Sequence, residues 1–450
     1  MTPRLLRAGR VGGPSAGGRC VRTPVRRRSR GGGPRGGRGR RKGAGGAVSR
    51  GAGGAARILL FLAGVDPARR ASSLFDGPPP GAPGWTPSAC PWDACPSRGG
   101  VPFRWRRHGF FRRAAAPRRV RRYRCLVCGR TFSDQTFAGT YYAKRPDILA
   151  PLANALVNGA ALRQAARGLA CARSTAVRAA DRLGRLAALA WAKLLEGLAV
   201  AGPVVHDDFV GFALRRPLAV FVGTTVDPAT DLVLALSAAP GIQGGRRTPA
   251  QRRRLAALRA ALPRAARPRA FRALLAGLLG RLPPGARLAL RTDDDRVFRD
   301  AVRRAGAGRV DHEVHPAPRR GRAAPGYNRA LGPANALHRF LRHADAEHRR
   351  SPLAFARRVA SVAGRAALFA FWRSFLQRRR EGRNRGPTPA MLAGLADREL
   401  SWADLLGRRV FRREIARLPE AAARVLARDF PTPCAKDSPR LHPRHWLALA

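Results

Sequence analysis

The chain has 450 residues, 87 of them Lys or Arg and 27 of them Asp or Glu, which gives a formal net charge of +60. That length allows about three domains of ordinary size, and that charge favours a polyanionic partner, nucleic acid above all. The sequence has no apolar run near the roughly 20 residues that span a bilayer, which argues against a membrane protein and for a cytoplasmic one.

Residues 1–84 are dominated by Arg, Gly, Pro and Ala, as in RRRSRGGGPRGGRGRRKGAGG. Such a composition cannot bury enough apolar surface to offset the entropy of the chain, so the segment is predicted to be disordered. Two interpretations are equally open: a basic arm that binds nucleic acid, and a translated spacer that precedes the true start codon.

Residues 85–142 are predicted to form a zinc ribbon. Two cysteine pairs, spaced C-x4-C and C-x2-C, stand in CPWDAC and CLVCGRTF. Zinc prefers four thiolates in a tetrahedron, and two short turns that each supply two sulfurs meet that geometry with little strain. Because the total of seven cysteines is odd, the pattern also favours structural zinc over a disulfide framework. The predicted zinc ligands are Cys90, Cys95, Cys125 and Cys128.

Basic runs interleaved with aromatic residues flank these cysteines, as in RWRRHGFFRR and RRVRRYRC. Arginine can contact phosphates and aromatic rings can stack on bases, so the ribbon is predicted to bind nucleic acid. A merely solvated basic face is the alternative. Gly129, directly after Cys128, suits the backbone turn that a zinc knuckle requires.

Residues 143–198 are predicted to form a helix-turn-helix DNA-binding domain. In GAALRQAARGLACARSTAVRAADRLGR two helical patterns are joined by a short turn. The second helix is predicted to bury Val177 and to take Ser174 or Thr175 as its N-cap. Its outward side would then meet the major groove of DNA, whereas a plain helical hairpin inside a larger core is the alternative. The predicted DNA-binding residues are Arg163, Arg173, Ser174, Thr175, Arg178 and Arg182.

Residues 199–380 are predicted to form an α/β domain, and residues 381–450 a basic helical tail. The β-type runs GPVVHDDF, PLAVFVGTTV, DLVLALSAA, ARLALRT and GRVDHEVH alternate with helical stretches, a pattern typical of layered α/β folds. Asp207, with Asp208 beside it, and Asp293 follow such runs directly. Two strand-end carboxylates brought together can hold divalent metal ions for phosphodiester chemistry.

Asp293 begins the unusual run Asp293, Asp294 and Asp295. If a helix starts just after the strand, the last two lie in its cap or first turn, where free N–H groups and the helix dipole stabilise anions. Asp293 is then the one member of the run that is needed for catalysis.

The order of these motifs resembles that of a bacterial insertion-sequence transposase of the DDE class. The resemblance rests on CPWDACPSRG, RYRCLVCGRTFSDQTFAGTYYAKRPDI, RQAARGLACARSTAVRAADRLGR, HDDFVGF, RTDDDRVF and LAFARRVASVAGRAALFAFWRSFLQRRREGRNRGPTPAMLAGL, between about Cys90 and about Phe411. It implies a multi-domain protein whose zinc ribbon and helix-turn-helix recognise the terminal repeats of a mobile element. A ribonuclease H-like catalytic domain would follow, which cuts and rejoins DNA strands.

The resemblance also implies three acidic residues that hold catalytic Mg²⁺ or Mn²⁺. Asp207 would be the first, with Asp208 as the second choice for that position, and Asp293 would be the second acid. Metal-activated water would attack a phosphodiester, and the freed 3′-hydroxyl would then attack target DNA.

The third acid is missing from its expected place in PANALHRFLRHADAEHRRSPLAF, where the aligned positions hold Asn335 and His338. Asp345 is the predicted substitute, because a helix would place it on the face of His338, although about 10 Å farther along the axis. Two alternatives are Asp311 or Glu313 in GRVDHEVH. A third is a decayed copy without a third acid.

The predicted function is therefore that of a transposase. Its expected partner is double-stranded DNA at the element ends and the target, bound by a homo-oligomer in the bacterial nucleoid. The alternatives are a catalytically inactive or domesticated zinc-ribbon and helix-turn-helix DNA-binding protein, and a nuclease that cuts DNA without joining it.

Overall fold

The computed structural model of the protein describes residues 81–92, 94–214, 216–244, 247–305, 308–317, 325–349, 354–380, 386–407 and 418–433. The predicted disordered arm lies outside the described residues except for 81–84, and so do 381–385, 408–417 and 434–450 of the predicted tail. The described chain is mixed α/β, with one three-stranded sheet, one five-stranded sheet and the helices that cover them. No helix in these ranges combines the length and apolar character needed to cross a membrane.

The three-stranded sheet is antiparallel. Its strands, in the order β1–β2–β3, are Trp105–Arg112, Arg119–Cys125 and Thr131–Ser133. Tyr123 centres a small aromatic core: its ring centroid lies 5.6 Å from that of Phe132, and it meets Trp85 and Trp105 edge-on at 5.5 and 5.3 Å. A core of this size is marginal on its own, so the sheet depends on the cysteines that pack beside these rings.

Three helices follow this sheet: α1 (Leu149–Val157), α2 (Leu162–Gly168) and α3 (Arg173–Leu194). Helix α3 begins directly after Ala172, which has an extended backbone and no capping side chain. The predicted N-cap at Ser174 or Thr175 is therefore wrong. The first turn of α3 is open to water, which can satisfy its free N–H groups in place of a side chain. Val177 is also misassigned, since it is 41% exposed and the neighbouring Ala176 faces the core.

The five-stranded sheet consists of β4 (Val204–Phe212), β5 (Leu218–Val226), β6 (Val233–Ile242), β7 (Leu288–Asp293) and β8 (Val310–His315). Its strand order is β6–β5–β4–β7–β8. Neighbours among β4, β5 and β6 are antiparallel, whereas β7 runs parallel to β4 and β8 parallel to β7. The turn from β5 to β6 is held by Asp227, whose carboxylate accepts the N–H of Ala229 and the hydroxyl of Thr230.

Helices cover both faces of this sheet. The described helices after α3 are α4 (Pro249–Arg254), α5 (Ala256–Ala260), α6 (Ala266–Leu279), α7 (Arg296–Ala305), α8 (Pro325–Ala344), α9 (Val359–Phe371), α10 (Pro389–Leu392), α11 (Trp402–Gly407) and α12 (Glu420–Ala427). Contacts with the strands come from α6, α7, α8, α9 and α12. Alternate residues of β4 face opposite layers: His206 packs on Phe271 of α6 and Phe298 of α7, and Phe209 packs on His338 of α8. The central strand is thus buried on both sides.

Helices α3 and α9 pack backbone to backbone where two glycines meet. A Cβ atom on Gly184 would lie 2.6 Å from the carbonyl oxygen of Gly364, whereas a Cβ on Gly364 would lie 3.8 Å from its nearest neighbour, the Cα of Gly184. The approach is therefore limited by Gly184 alone.

We expect Gly184→Ala to lower the free energy of unfolding by about 1–3 kcal/mol, because one helix must move away from the other. Gly364→Ala is the matched control: it should be neutral or stabilising by up to about 1 kcal/mol, the gain in helix propensity. Urea unfolding of the two variants beside the wild type measures both effects. Equal losses of stability would contradict the asymmetry.

Candidate functional site

The four predicted zinc ligands meet in one cluster. The Sγ atoms of Cys90, Cys95, Cys125 and Cys128 all lie within 4.8 Å of one another. Two of the distances between them, from Cys90 to Cys128 and from Cys95 to Cys125, are 3.8 Å. A tetrahedral ion with bonds of about 2.3 Å to four sulfurs would separate those sulfurs by about 3.8 Å. The cluster can therefore hold a metal ion such as zinc.

Two tight turns bring these sulfurs together. Cys90 and Cys95 lie in the loop before β1, and the N–H of Cys95 is donated to the carbonyl of Trp92. Cys125 ends β2, and the N–H of Gly129 returns to its carbonyl at 3.0 Å. Gly129 has a φ of +72°, a conformation that favours glycine, so the predicted turn after Cys128 is confirmed.

An exposed basic surface lies on the same small sheet. Phe110 is 39% exposed, and the guanidinium carbons of Arg119 and Arg121 lie 3.9 and 4.1 Å from its ring centroid. Phe111, beside it, is 40% exposed. An arginine-flanked aromatic ring open to solvent can contact phosphates and stack on a base.

The two predicted strand-end acids are brought together. Strands β4 and β7 pair in parallel with Val204 opposite Leu290 and Val205 opposite Arg291, and the same register continued by two residues sets Asp207 beside Asp293. Burial and the charge of Asp293 raise the pKa of Asp207 to about 7. Burial likewise raises the pKa of Asp293. Asp293 ends β7, whereas Asp207 lies inside β4, which continues to Phe212, so the predicted place of Asp207 at a strand end is wrong. The two half-buried carboxylates nevertheless lie near each other on adjacent strands.

Asp208 faces the opposite layer and is not available to a metal ion. Its carboxylate lies 2.5 Å from Nε of Arg267 on α6 and 3.6 Å from Nε2 of His206. Burial by itself raises the pKa of Asp208, but contacts with His206 and Arg267 outweigh burial and hold that pKa below its ordinary value. Arg267 also reaches Asp295 at 2.7 Å, so one guanidinium ties both β4 and the segment after β7 to α6.

The three consecutive carboxylates therefore separate by role. Asp293 ends β7 beside Asp207. Asp295 accepts the N–H of Val297 at 2.8 Å and so caps α7, as predicted. Asp294 pairs with Arg299 at 3.2 Å on the surface.

His338 of α8 lies at the corner where the third acid was expected. Its Nδ1 is 3.5 Å from Oδ2 of Asp207, and its Nε2 is 2.8 Å from the hydroxyl of Thr224, which lies opposite Asp207 in the sheet. Burial, together with Arg342, lowers the pKa of His338 to about 3, so the imidazole is neutral at pH 7. Burial raises the pKa of Tyr327, which lies earlier on the same helix, and the charges of Asp207 and Asp293 raise it further, so this side chain too lies near the two acids.

Asp345 does not take that place, and its predicted position on the face of His338 is a correction. Helix α8 ends at Ala344, and Asp345 has an extended backbone because it caps the short 3₁₀ helix Ala346–His348. Its buried carboxylate lies 2.9 Å from Nε of Arg365 and 3.1 Å from Nδ1 of His348. Helical spacing therefore could not carry the side chain towards the sheet.

The alternative acids on β8 also have other partners. Asp311 pairs with Arg287 at 2.5 Å, and Glu313 pairs with Arg291 at 2.7 Å, all on the exposed surface. Among the described residues, the cysteine cluster is the group of three or more potential metal ligands whose donor atoms all lie within 4.8 Å. In the part of the chain that the structure describes, no third carboxylate completes a metal-ligand group with Asp207 and Asp293.

The residues predicted to bind DNA divide into exposed and buried ones. Exposed on α2 and the first turns of α3 are Arg163, Arg173, Ser174 and Arg178, whereas Thr175 is half-buried. Arg182 is a correction to its predicted outward position: its Nη1 donates to the carbonyls of Gly139 and Tyr141, both at 2.9 Å. Burial lowers the pKa of Arg182 to about 10. Its guanidinium thus ties α3 to the preceding segment.

The sequence analysis did not predict four residues that lie beside the acids or beside His338: His206, Thr224, Arg267 and Tyr327. His206 stands next to the acidic pair in HDDF and could have been noticed there. The others lie on distant segments and have no local signal. No family model matches the chain, and no curated protein matches it.

Proposed function

We propose that the protein is a DNA-binding protein of the insertion-sequence transposase type, with its DNA-cleaving centre at Asp207 and Asp293. The observation that carries this proposal is the proximity of the two acids on adjacent parallel strands, where the charge of Asp293 helps to raise the pKa of Asp207. Two carboxylates held side by side attract a divalent cation, which is what phosphodiester cleavage requires.

The sheet supports the proposal. Three antiparallel strands continue into two parallel strands in the order β6–β5–β4–β7–β8, which is the arrangement expected of a ribonuclease H-like domain. The two acids lie on β4 and β7, at the centre of that order.

The described chain up to the end of α3 supports binding to DNA. The cysteine cluster can take structural zinc and so fix the ribbon that displays Phe110 between two arginines. Helices α2 and α3 form the candidate helix-turn-helix, with Arg173 and Arg178 exposed on the first turns of the second helix. Contacts of this kind would serve element ends and target DNA, bound by more than one copy of the chain.

The resident group that the resemblance implies, Mg²⁺ held by three acids, does not fit this chain completely. Asp207 and Asp293 supply two oxygen ligands, but His338 stands at the third corner. Mg²⁺ prefers oxygen donors in near-ideal octahedral geometry, and an imidazole nitrogen suits it poorly. The replacement favours a second function: a catalytically inactive descendant that retains the zinc ribbon and the helix-turn-helix as a DNA-binding protein.

Cleavage of a supercoiled plasmid that carries the DNA flanking this coding region separates the two functions. With Mg²⁺ or Mn²⁺ the wild type should nick the plasmid at the element ends, and Asp293→Ala should abolish nicking because one of the two paired carboxylates is gone. Asp294→Ala is the matched control, since Asp294 pairs with Arg299 on the surface, and it should cut as well as the wild type.

Metal-dependent nicking that survives in Asp293→Ala would contradict the assigned centre. If neither the wild type nor a variant cuts the plasmid, but the wild type still binds the element ends in a zinc-dependent way, the protein is an inactive DNA-binding descendant.

A further inference from the structure

The imidazole of His338 is held in one tautomer by its neighbours. The hydroxyl of Thr224 donates to the carbonyl oxygen of Asp207 at 3.2 Å, and Nε2 of His338 lies 2.8 Å from the same hydroxyl. A hydroxyl has one proton. Both contacts are hydrogen bonds at the same time only in the tautomer in which Nε2 of His338 is the donor, and in that tautomer Nδ1 of the neutral ring carries a lone pair.

That lone pair faces a carboxylate. Nδ1 of His338 and Oδ2 of Asp207 are 3.5 Å apart, which is longer than an ordinary N–H···O hydrogen bond. Two electron-rich atoms that face each other at this distance in a buried site repel unless a cation lies between them. Ligands bound next to each other on one ion, with bonds of about 2.1 Å, lie roughly 3.0–3.4 Å apart, so this separation suits a shared metal.

The hydrogen bond on the far side of the ring is also that of a metal ligand. A ligating histidine almost always donates its other N–H to an oxygen, which fixes the ring and its tautomer. Thr224 supplies that oxygen here, and the His338 side chain is 4% exposed. The ring is therefore oriented before any ion arrives.

Asp293 is the natural third donor. It lies beside Asp207 in the register of two strands, and adjacent strands are about 4.8 Å apart. One of its oxygens, Oδ1, accepts the N–H of Asp295 at 3.2 Å. The three donor atoms are not all within 4.8 Å of one another in the structure, so binding requires the Asp293 carboxylate to turn towards the other two.

We propose that Asp207, His338 and Asp293 form a site for a divalent transition-metal ion, in preference to Mg²⁺. Transition-metal ions accept imidazole nitrogen together with carboxylate oxygen, whereas Mg²⁺ prefers oxygen alone. The inference deepens the proposed function by naming the class of metal at the same centre, and it rests on that function for the role of the ion but not for its binding.

Mn²⁺ is the probe of choice, because its electron paramagnetic resonance signal reports free ion directly and oxygen and nitrogen donors suit it better than thiolates. The full chain is first loaded with zinc, so that the cysteine cluster is filled, and is then titrated with Mn²⁺ with and without competing Mg²⁺. We expect one bound Mn²⁺ that a tenfold excess of Mg²⁺ does not displace.

Substitutions identify the ligands. His338→Ala and Asp293→Asn should each weaken Mn²⁺ binding about tenfold or more, a loss at least as large as that of removing an outer-shell partner. His338→Asp, which supplies the third oxygen ligand, should bring the affinity for Mg²⁺ close to that for Mn²⁺. His343→Ala is the matched control on the same helix, because that histidine is exposed, and it should bind Mn²⁺ like the wild type.

The inference is overturned if the wild type binds no Mn²⁺, if Mg²⁺ displaces Mn²⁺ at equal concentration, or if His338→Ala binds as tightly as the wild type. Zinc content and far-ultraviolet circular dichroism show which variants fold. If His338→Ala does not fold, the inference is tested by Asp293→Asn and by the competition between Mn²⁺ and Mg²⁺ on the wild type. Mn²⁺ binding without plasmid cleavage would refute the proposed function alone, whereas cleavage with Mg²⁺ and no preference for Mn²⁺ would refute this inference alone.

Discussion

Replacing Cys125 with serine is expected to abolish metal binding at the cysteine cluster and to unfold the three-stranded sheet. Cys125 is fully buried and ends β2, and its Sγ lies 3.8 Å from that of Cys95. Binding of a structural zinc ion contributes an apparent free energy of about 10–16 kcal/mol to the folding of small zinc domains, which is comparable to the whole stability of such a domain. The aromatic rings around Tyr123 cannot replace it, because they form a core too small to fold alone.

Cys171→Ser is the matched control, since Cys171 is a half-buried free cysteine outside the cluster. Zinc content after gel filtration should be one ion per chain for the wild type and for Cys171→Ser, and none for Cys125→Ser. Tryptophan fluorescence, to which Trp85 and Trp105 beside Tyr123 contribute, should change with the loss of zinc. A chelated wild type whose fluorescence and DNA binding stay the same would show that the sheet does not need the metal.

Replacing Arg365 with methionine is expected to lower the free energy of unfolding by about 3–5 kcal/mol, because it leaves a buried carboxylate without its partner. Arg365 and Asp345 are 4% and 3% exposed, and Nε of Arg365 lies 2.9 Å from Oδ2 of Asp345. The guanidinium also reaches the carbonyl of Leu156 on α1 at 3.5 Å, so the pair joins three helical segments.

The double variant Asp345→Asn with Arg365→Met should recover most of that loss, since it removes the unpaired charge and keeps an acceptor for the N–H of Glu347. Arg378→Met is the surface control: its partner Glu399 is exposed, and pairs of that kind contribute about 0–1 kcal/mol. Denaturant unfolding of the four proteins tests the claim. A single Arg365→Met variant no less stable than Arg378→Met would refute the role of the buried pair.

The same pair makes stability depend on pH. Burial opposes ionisation of Asp345, but Arg365 and His348 outweigh it and hold the pKa of the carboxyl far below its ordinary value. A carboxyl group whose pKa is lower in the folded than in the unfolded state stabilises the fold at pH values above its unfolded-state pKa of about 3.9. That stability is lost as the pH falls below this value. The stability difference between wild type and Asp345→Asn should therefore shrink as the pH falls from about 5 to about 3.

The sequence located the features whose signal is local. Two cysteine pairs at knuckle spacing predicted one cluster, because a tight turn fixes the distance between its two sulfurs. The apolar run that ends in Asp293 predicted the end of β7, and the alternation of strands and helices predicted a mixed α/β chain, whereas the strand end predicted at Asp207 was wrong because β4 continues to Phe212. Asp295 as the cap of α7 likewise followed from its place between a strand and a helix.

Only the tertiary structure decided what lies around these two acids. Asp345 was predicted from helical spacing, but α8 stops one residue before it, and the chain turns to pair it with Arg365. His338 and Arg267 reach the acids from α8 and α6 across many intervening residues, on opposite faces of the sheet. Sequence periodicity shows which residues share the face of a helix. The residue at which the helix ends, its position relative to a strand and the partners of its charged side chains depend on packing between segments far apart in the chain.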